Sequence, residues 1–338
     1  MLNKKAFSYD RLHGRGAWRA FILLTFTLLA VGGIILSLTK GALDISFHDI
    51  IAAVFSDSSG ANRQVIWNIR LPRTLVGALV GINLALAGAI LQGVMKNPLA
   101  DPHIIGISSG AGLAGVTIMV LYPQKEYLVT PIAFVGAMSS ALFIYILAWK
   151  GGIRPIRIIL AGVAVSAFLN SGISALMVFY SDRVHGALMW MVGGLSARSW
   201  PHLDILWPYT VVGTILAILG AGRLNLLHLG DDIARSLGLN VEVWRITMTA
   251  VAALLAASAV SVVGLLGFVG LIVPHAARLL VGSDYRYLLP ASAILGVAVV
   301  TLSDTLARVA FSPIEIPVGI IMAFVGAPFF LYLLRRDA

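Results

Sequence analysis

Long runs without a charged residue are the feature that most restricts the fold of this 338-residue chain. A helix needs about 20 apolar residues to cross the roughly 30 Å of hydrocarbon in a bilayer. Eight runs of about this length are present, at 20–38, 74–95, 104–122, 127–149, 158–181, 205–222, 287–303 and 316–334. A ninth uncharged run, 246–277, is too long for one comfortable span.

The composition agrees with a membrane protein, because 59% of the residues are hydrophobic and only 12% are charged. A soluble domain is usually about a quarter charged, so this chain has too little polar surface to cover a water-soluble globule. A basic leader, 1–19, precedes the first run. No small-x-small cleavage site follows it, so we interpret the first run as a retained helix. The expected fold class is an all-α polytopic membrane protein.

The ninth run contains "GLLGFVGLIVP", in which Gly264, Gly267 and Gly270 are followed by Pro274. Glycine and proline at this density favour a chain reversal or a broken helix, which would make two spans and ten in total. Positive charge favours the same count. With the N-terminus inside, ten spans place 16 Lys and Arg residues inside and 8 outside, whereas nine spans give 13 and 11. The sequence therefore predicts ten transmembrane helices with both termini cytoplasmic.

Three arginines fall at the outer ends of spans in this topology. Arg70 and Arg73 lie in "IRLPRTLVGALVG", and Arg308 lies in "LSDTLARVAF", four residues after Asp304. At mid-membrane each charge would cost about 2.5–3.5 kcal/mol, so a place at the water interface is expected. Two interpretations remain open: interfacial anchoring by snorkelling, or a cationic dock for an acidic partner. Asp304 is expected to pair with Arg308 and orient it.

The longest cytoplasmic loop contains "LGDDIARSLGLNVEVWR". An aspartate can cap a short helix here, three apolar residues share one face at helical spacing, and a glycine follows where a left-handed helix end is needed. A short helix, a glycine and a second short helix would form a rigid knob in the cytosol. The alternative is a connector folded against its own subunit. The residues concerned are Asp231, Asp232, Ile233, Ala234, Arg235, Leu237 and Gly238.

Several chemistries are excluded by missing residues and motifs. The chain has no cysteine, which excludes disulfides and thiolate nucleophiles. It has no Gly-Lys dipeptide and therefore no P-loop, and it has no H-E-x-x-H motif. The seven histidines are too scattered for a metal cage, and we interpret His275 as a packing or capping residue. No basic segment is interleaved with aromatic residues, so nucleic acid is not an expected partner.

An ordered set of motifs resembles one family. The segments are "RLPRTLVGALVGINLALAGAILQGVMKNPLADPHIIGISSGAGL", "ILAGVAVSAF", "MWMVGGL", "ARSLGL", "GLLGFVGLIVPHAARLLVG" and "EIPVGIIMAFVGAPFFLYLLRR". Together they resemble the FecCD-like permease subunits of type II ABC importers, which carry iron-siderophores, haem or cobalamin. The resemblance extends from Trp18 to Arg336.

This resemblance implies one permease domain, 1–338, in the bacterial cytoplasmic membrane. It would comprise a cytoplasmic leader (1–19), an extracytoplasmic loop (39–69) and cytoplasmic coupling helices (223–245). The subunit would pair with itself or with a homologous permease. Two cytosolic ATPase subunits would hold ATP and magnesium, and an extracytoplasmic binding protein or lipoprotein would deliver the cargo. The chain itself would bind no cofactor and catalyse no reaction.

The resemblance also implies roles for the residues already singled out. Arginines at the positions of Arg70, Arg73 and Arg308 receive acidic residues of the binding protein, and the segment around Asp231 and Asp232 couples to the ATPase. Relatives carry Ser or Thr at an inner gate just before "RIILAG". This chain instead has Arg154 and Pro155 there, which leaves its gate residues open.

The translocation path and the cargo are less constrained by the sequence. Polar residues within spans either face the path or make contacts between helices, and they are Asn83, Gln92, Ser166, Asn170 and Ser174. An iron(III)-siderophore is the leading cargo, with cobalamin or haem as the alternative. An ion-coupled secondary transporter is the third hypothesis, but it would need buried ionisable groups along the path, and the mid-span regions are nearly free of them.

Overall fold

The structure is a computed structural model that describes residues 6–41, 45–46, 48, 50–52, 61–150 and 155–337. All regular secondary structure within these ranges is helical. The main helices are α1 (Ala6–Thr39), α2 (Leu71–Met95), α3 (Ile107–Leu121), α4 (Val129–Ala148), α5 (Pro155–Phe179), α6 (Val184–Val192), α7 (Trp200–His228), α8 (Asp231–Ser236), α9 (Val241–Val263), α10 (Val269–Val281), α11 (Tyr285–Val309) and α12 (Val318–Asp337).

Ten of these helices account for the predicted spans. Seven are long and apolar enough to cross a bilayer, and three shorter apolar helices, Ile107–Leu121, Val269–Val281 and Val318–Tyr332, complete the set. The remaining two, α6 and α8, are short helices that connect spans. The prediction of ten helices is therefore confirmed for the part of the chain that the structure describes.

The long uncharged run is divided at the glycine-rich segment, as the sequence predicted. α9 ends at Val263, and α10 begins only at Val269. Gly264 has a φ of 81°, and a Cβ there would overlap the carbonyl oxygen of Trp190. Glycine is the one residue that meets both demands without strain. α10 has 13 residues and is therefore only about 20 Å long, which is less than a full span.

The centre of the bundle is α2, and 83% of its most apolar stretch is buried. Small residues permit this burial, because Gly81 meets Gly296 of α11 and Gly88 meets Gly270 of α10 backbone to backbone. Close approach of this kind drives association in lipid, where the hydrophobic effect between helices is absent. α5 is the opposite case, since only 22% of its apolar stretch is buried within this subunit.

The predicted segment boundaries need adjustment. The leader is helical from Ala6 and continuous with α1. The outer loop ends in helix, because Ala61–Val65 and a π-helical turn, Ile66–Arg70, run directly into α2. The predicted coupling region, 223–245, contains the end of α7, all of α8 and the beginning of α9. Residues 42–44, 47, 49 and 53–60 of the predicted outer loop lie outside the described residues.

Candidate docking and coupling sites

Three helix ends meet at the outer end of the bundle. The π-helical turn before α2 positions Arg70, the first turn of α2 positions Arg73, and the last turn of α11 positions Arg308. All three side chains converge near the C-terminal end of α1. The structure therefore brings the predicted docking residues together, although 235 residues separate Arg73 from Arg308 in sequence.

Asp304 is the centre of this group. It accepts hydrogen bonds from Arg73 Nε and Nη2, at 3.1 and 3.0 Å. Its Oδ2 also lies 3.1 Å from Arg308 Nε. The pairing of Asp304 with Arg308 confirms the expectation from their four-residue spacing. The bidentate pairing with Arg73 connects α2 to α11, and no local sequence pattern indicates it.

The C-terminal end of α1 supplies the other acceptors. Arg70 Nη1 donates to the carbonyl oxygens of Leu38 and Thr39, at 2.7 and 2.9 Å. Arg308 Nη2 donates to the carbonyl oxygen and the Oγ of Ser37, at 3.1 and 2.9 Å. The last carbonyls of a helix have no partner within it and carry partial negative charge, so they suit guanidinium donors.

A second carboxylate completes the group from a loop. Glu315, between α11 and α12, accepts a hydrogen bond from Arg73 Nη1 at 2.8 Å. Its side chain is 41% exposed, whereas that of Asp304 is 3% exposed. Sequence reasoning missed this residue, because it belongs to no span and lies 242 positions from its partner. These five side chains, Arg70, Arg73, Asp304, Arg308 and Glu315, are called the arginine cluster below.

The cluster is more deeply buried than the sequence suggested. Arg70, Arg73 and Arg308 are only 5, 6 and 4% exposed in the isolated subunit. The sequence predicted a place at the water interface but did not predict this burial. Neighbouring helices cover the three side chains, and their donors are directed at protein acceptors.

The opposite end of α2 carries the second site. Asp231, the first residue of α8, accepts from Lys96 Nζ at 2.5 Å and from Arg245 Nη2 at 2.8 Å. Burial raises the pKa of Asp231, but the hydrogen bonds from these two cations outweigh it and bring the pKa below its usual range. The carboxylate thus ties α8 to the ends of α2 and α9. The two sites lie at opposite ends of the bundle, as the predicted topology requires.

The details of the knob differ from the prediction in three respects. Gly230 is the N-cap of α8, and neither aspartate caps it. Ile233 and Leu237 are exposed, at 51 and 59%, whereas Ala234 is fully buried, so the three do not share one face. The predicted second short helix is the beginning of the long α9.

Other features of the knob follow the prediction. Gly238 has a φ of 82°, as expected after a helix end. Arg235 lies 3.6 Å from Asp232 and 3.7 Å from Glu242, both pairs being exposed or partly exposed. Such exposed pairs contribute little stability.

The candidate path residues fall into two groups. Asn83 is fully buried and donates to Ser258 Oγ of α9 at 3.1 Å, and Gln92 lies 3.4 Å from carbonyl oxygens of α10. These two make contacts between helices, which is one of the two alternatives that the sequence left open. Ser166 is partly buried on α5, while Asn170 and Ser174 are exposed on that helix. Asn170 and Ser174 are therefore accessible from outside this subunit, and Ser166 is partly accessible.

Two further residues can be placed. His275 is buried in α10, and its ring meets that of Phe329 edge-on at 6.0 Å, in agreement with a packing role. Pro155 is the first residue of α5, a position that suits proline because the first helical N–H needs no partner within the helix. Arg154 lies outside the described residues.

Comparison with known proteins agrees with this architecture. Residues 28–336 match the FecCD transport family. The chain is 37% identical to the Fe(3+)-citrate import system permease YfmD of Bacillus subtilis, over 97% of this chain and 98% of YfmD. It is 44% identical to the cobalamin import system permease BtuC of Halobacterium salinarum, over 80% of this chain and 73% of BtuC.

A solved structure is similar throughout. An inward-facing metal-chelate-type ABC transporter superposes with a TM-score of 0.83 at 29% identity, covering 94% of this chain and 99% of that one. The fold is that of a multi-pass permease of an ABC importer, in which ATP is bound by a partner ATPase and the permease is not itself catalytic. The chain belongs to the FecCD transport family.

Proposed function

We propose that this permease imports an iron(III)-siderophore. The observation that supports it best is similarity along nearly the whole chain to two ferric citrate permeases of Bacillus subtilis. Besides YfmD, the chain is 40% identical to YfmE, over 94% of this chain and 96% of YfmE. A cobalamin permease is the second candidate, because the identity to the Halobacterium protein is higher over its shorter matched length. Haem belongs with this alternative.

Uptake separates these cargoes. The permease is reconstituted in proteoliposomes with its ATPase and its binding protein, and radiolabelled ferric citrate, a ferric hydroxamate and cobalamin are compared. The proposal expects ATP-dependent uptake of a ferric chelate and at most background uptake of cobalamin. The reverse result would transfer the assignment to cobalamin. Uptake that persists without ATP and is insensitive to vanadate would support the secondary transporter instead.

The arginine cluster is proposed to be where the binding protein docks. Its three guanidinium groups outnumber its two carboxylates, so an acidic partner would be attracted to this end and oriented over it. Long-range attraction acts mainly on the association rate and weakens with salt. Charge reversal at Arg70 plus Arg73 is expected to slow capture of the binding protein. An unchanged association rate at low salt, with folding verified, would remove the proposal.

The segment 231–238 is proposed to be where ATPase motion enters the permease. Exposed Ile233 and Leu237 provide an apolar surface for a groove on the ATPase, while Asp231 holds α8 to α2 and α9. A displacement of α8 would therefore be passed directly to two buried helices. Copurification of the ATPase with Leu237→Glu tests the contact, since a charge on this surface should prevent a tight complex.

The permease is further proposed to act as one of two subunits. α5 leaves most of its apolar stretch unburied, and its exposed residues include Asn170 and Ser174, which suit a shared path between two copies. A homodimer and a pair with a homologous permease are both compatible with this surface. Mass measurement of the complex in nanodiscs distinguishes them.

A further inference from the structure

Glu315 differs from every other acceptor described in the arginine cluster. Asp304 is buried inside the bundle and the α1 carbonyls are buried or partly buried, whereas the Glu315 side chain is 41% exposed and comes from a loop. It nevertheless makes a short contact, 2.8 Å, with Arg73 Nη1. This carboxylate is therefore able to leave Arg73 without opening the interior of the bundle.

We propose that Glu315 occupies, in the resting permease, the place on Arg73 that a carboxylate of the binding protein takes on docking. The inference rests on the proposed docking function and identifies which arginine makes the exchange. Arg70 and Arg308 donate to carbonyls of α1, and replacing those bonds would detach a helix end. Arg73 is the one for which the structure describes a bond to an exposed carboxylate.

The exchange conserves the charge balance of the site. Arg73 keeps its bidentate pair with Asp304 throughout, and one carboxylate replaces another at Nη1. No buried guanidinium loses its partner, and this avoids the cost that removing half of a buried ion pair would carry. The partner must therefore present an acidic side chain. The same loop exposes Phe311 and Ile314, so the partner also needs apolar surface around that acid.

Release of Glu315 would act on the adjoining helix. α12 begins at Val318, three residues after Glu315. The N–H of Gly319 donates to the carbonyl of Gly193 at 3.0 Å, and a Cβ at Gly319 would overlap the carbonyl oxygen of Val192. The first turn of α12 thus lies directly on the end of α6. Loss of the bond between Glu315 and Arg73 would remove one of the contacts that hold the chain just before this helix start.

The end of α6, which contacts α12, also contacts the break between α9 and α10. The N–H of Gly194 donates to the carbonyl of Val263, the last residue of α9, at 2.8 Å. Backbone contacts therefore join the loop of Glu315, the start of α12, the end of α6 and the end of α9. Binding at the outer surface has a continuous physical route to a helix break within the bundle.

Glu315→Gln tests the exchange, because it removes the competing charge and keeps the size of the side chain. The complete permease–ATPase complex in nanodiscs is titrated with its substrate-binding protein. Removing an exposed competitor should tighten binding about 2- to 5-fold. The matched control is Asp182→Asn, an exposed carboxylate at the same end of the bundle. An equal gain in this control would attribute the effect to long-range charge and overturn the proposal.

Arg73→Gln separates the exchange from docking itself. If docking uses Arg73, this variant binds the partner more weakly, and Glu315→Gln adds no gain in its background. Weaker binding by Arg73→Gln together with no gain from Glu315→Gln alone would overturn the exchange and leave docking intact. Unchanged binding by Arg73→Gln would remove docking and the exchange together.

A distance measurement covers the case in which Arg73→Gln does not fold. The chain has no native cysteine, so in the permease spin labels attach only at Ile314→Cys and Asp182→Cys. The distance between the two labels reports the position of the loop that carries Glu315. Saturating binding protein is expected to shift the distance distribution between them. The same distribution with and without the partner would show that the loop keeps its resting contact, against the proposal.

Discussion

Asp304→Asn is the most direct test of the arginine cluster as a structural link. The Asp304 side chain is 3% exposed and holds Arg73 of α2 and Arg308 of α11 at about 3 Å. Asparagine keeps the size and one oxygen acceptor but removes the charge. Two buried guanidinium groups would then share a neutral partner.

The expected loss in the free energy of unfolding depends on the contacts that the two arginines keep. Removing one partner of a buried ion pair costs about 3–5 kcal/mol. Arg73 keeps Glu315 and Arg308 keeps Ser37, so the lower end of this range, about 3 kcal/mol, applies. Unfolding entropy of about 2.1 cal/mol/K per residue gives about 0.7 kcal/mol/K for a chain of this length. The melting temperature should therefore fall by about 4 °C.

The assay is thermal unfolding of the purified permease in detergent. Asp182→Asn is the control, because this substitution removes the same charge from the same end of the bundle. The Asp182 side chain is 74% exposed. This control should leave the melting temperature within about 1 °C of the wild type. If Asp304→Asn also stays within that margin, the cluster does not hold α2 and α11 together, and the reasoning about burial is wrong.

Three other predictions follow from the packing and from the inner end. Gly88→Ala introduces a Cβ into a backbone contact with α10 and should lower the melting temperature by about 4 °C or more, whereas Gly32→Ala, which has open space, should not. Ile233→Glu should abolish copurification of the ATPase at an unchanged melting temperature, because it places a charge on the exposed apolar surface of α8. Because the pKa of Asp231 is lowered by its cations, the stability it contributes is complete above the ordinary aspartate value and is lost as pH falls through the lowered pKa. The melting-temperature difference between wild type and Asp231→Asn should therefore be constant near pH 6 and shrink below about pH 4.

The spans and their order could be predicted because burial in lipid is a local property. Each run of apolar residues is long enough to cross the bilayer by itself, and its transfer energy depends little on its neighbours. The break after Val263 was also predictable, since a run of glycines has few other structural uses in a buried helix. The pairing of Asp304 with Arg308 needed only helical spacing.

Contacts between distant parts of the chain could not be predicted in this way. The sequence predicted that Asp231 or Asp232 caps a short helix, but Asp231 instead accepts hydrogen bonds from Lys96 and Arg245 at the ends of α2 and α9. Asn83 and Gln92 resemble path residues in sequence. Only the packed bundle shows that they face neighbouring helices.

The sequence alone determined that this chain is a membrane protein with ten predicted helices, because hydrophobic length, glycine interruptions and the sidedness of positive charge are properties of consecutive residues. The tertiary structure decided how deeply the arginines lie and what they bind. Arg73 meets Asp304 and Glu315 only after α2, α11 and the loop before α12 are packed together. Ion pairs depend on distance in space, and no pattern along the chain encodes a separation of more than 200 residues.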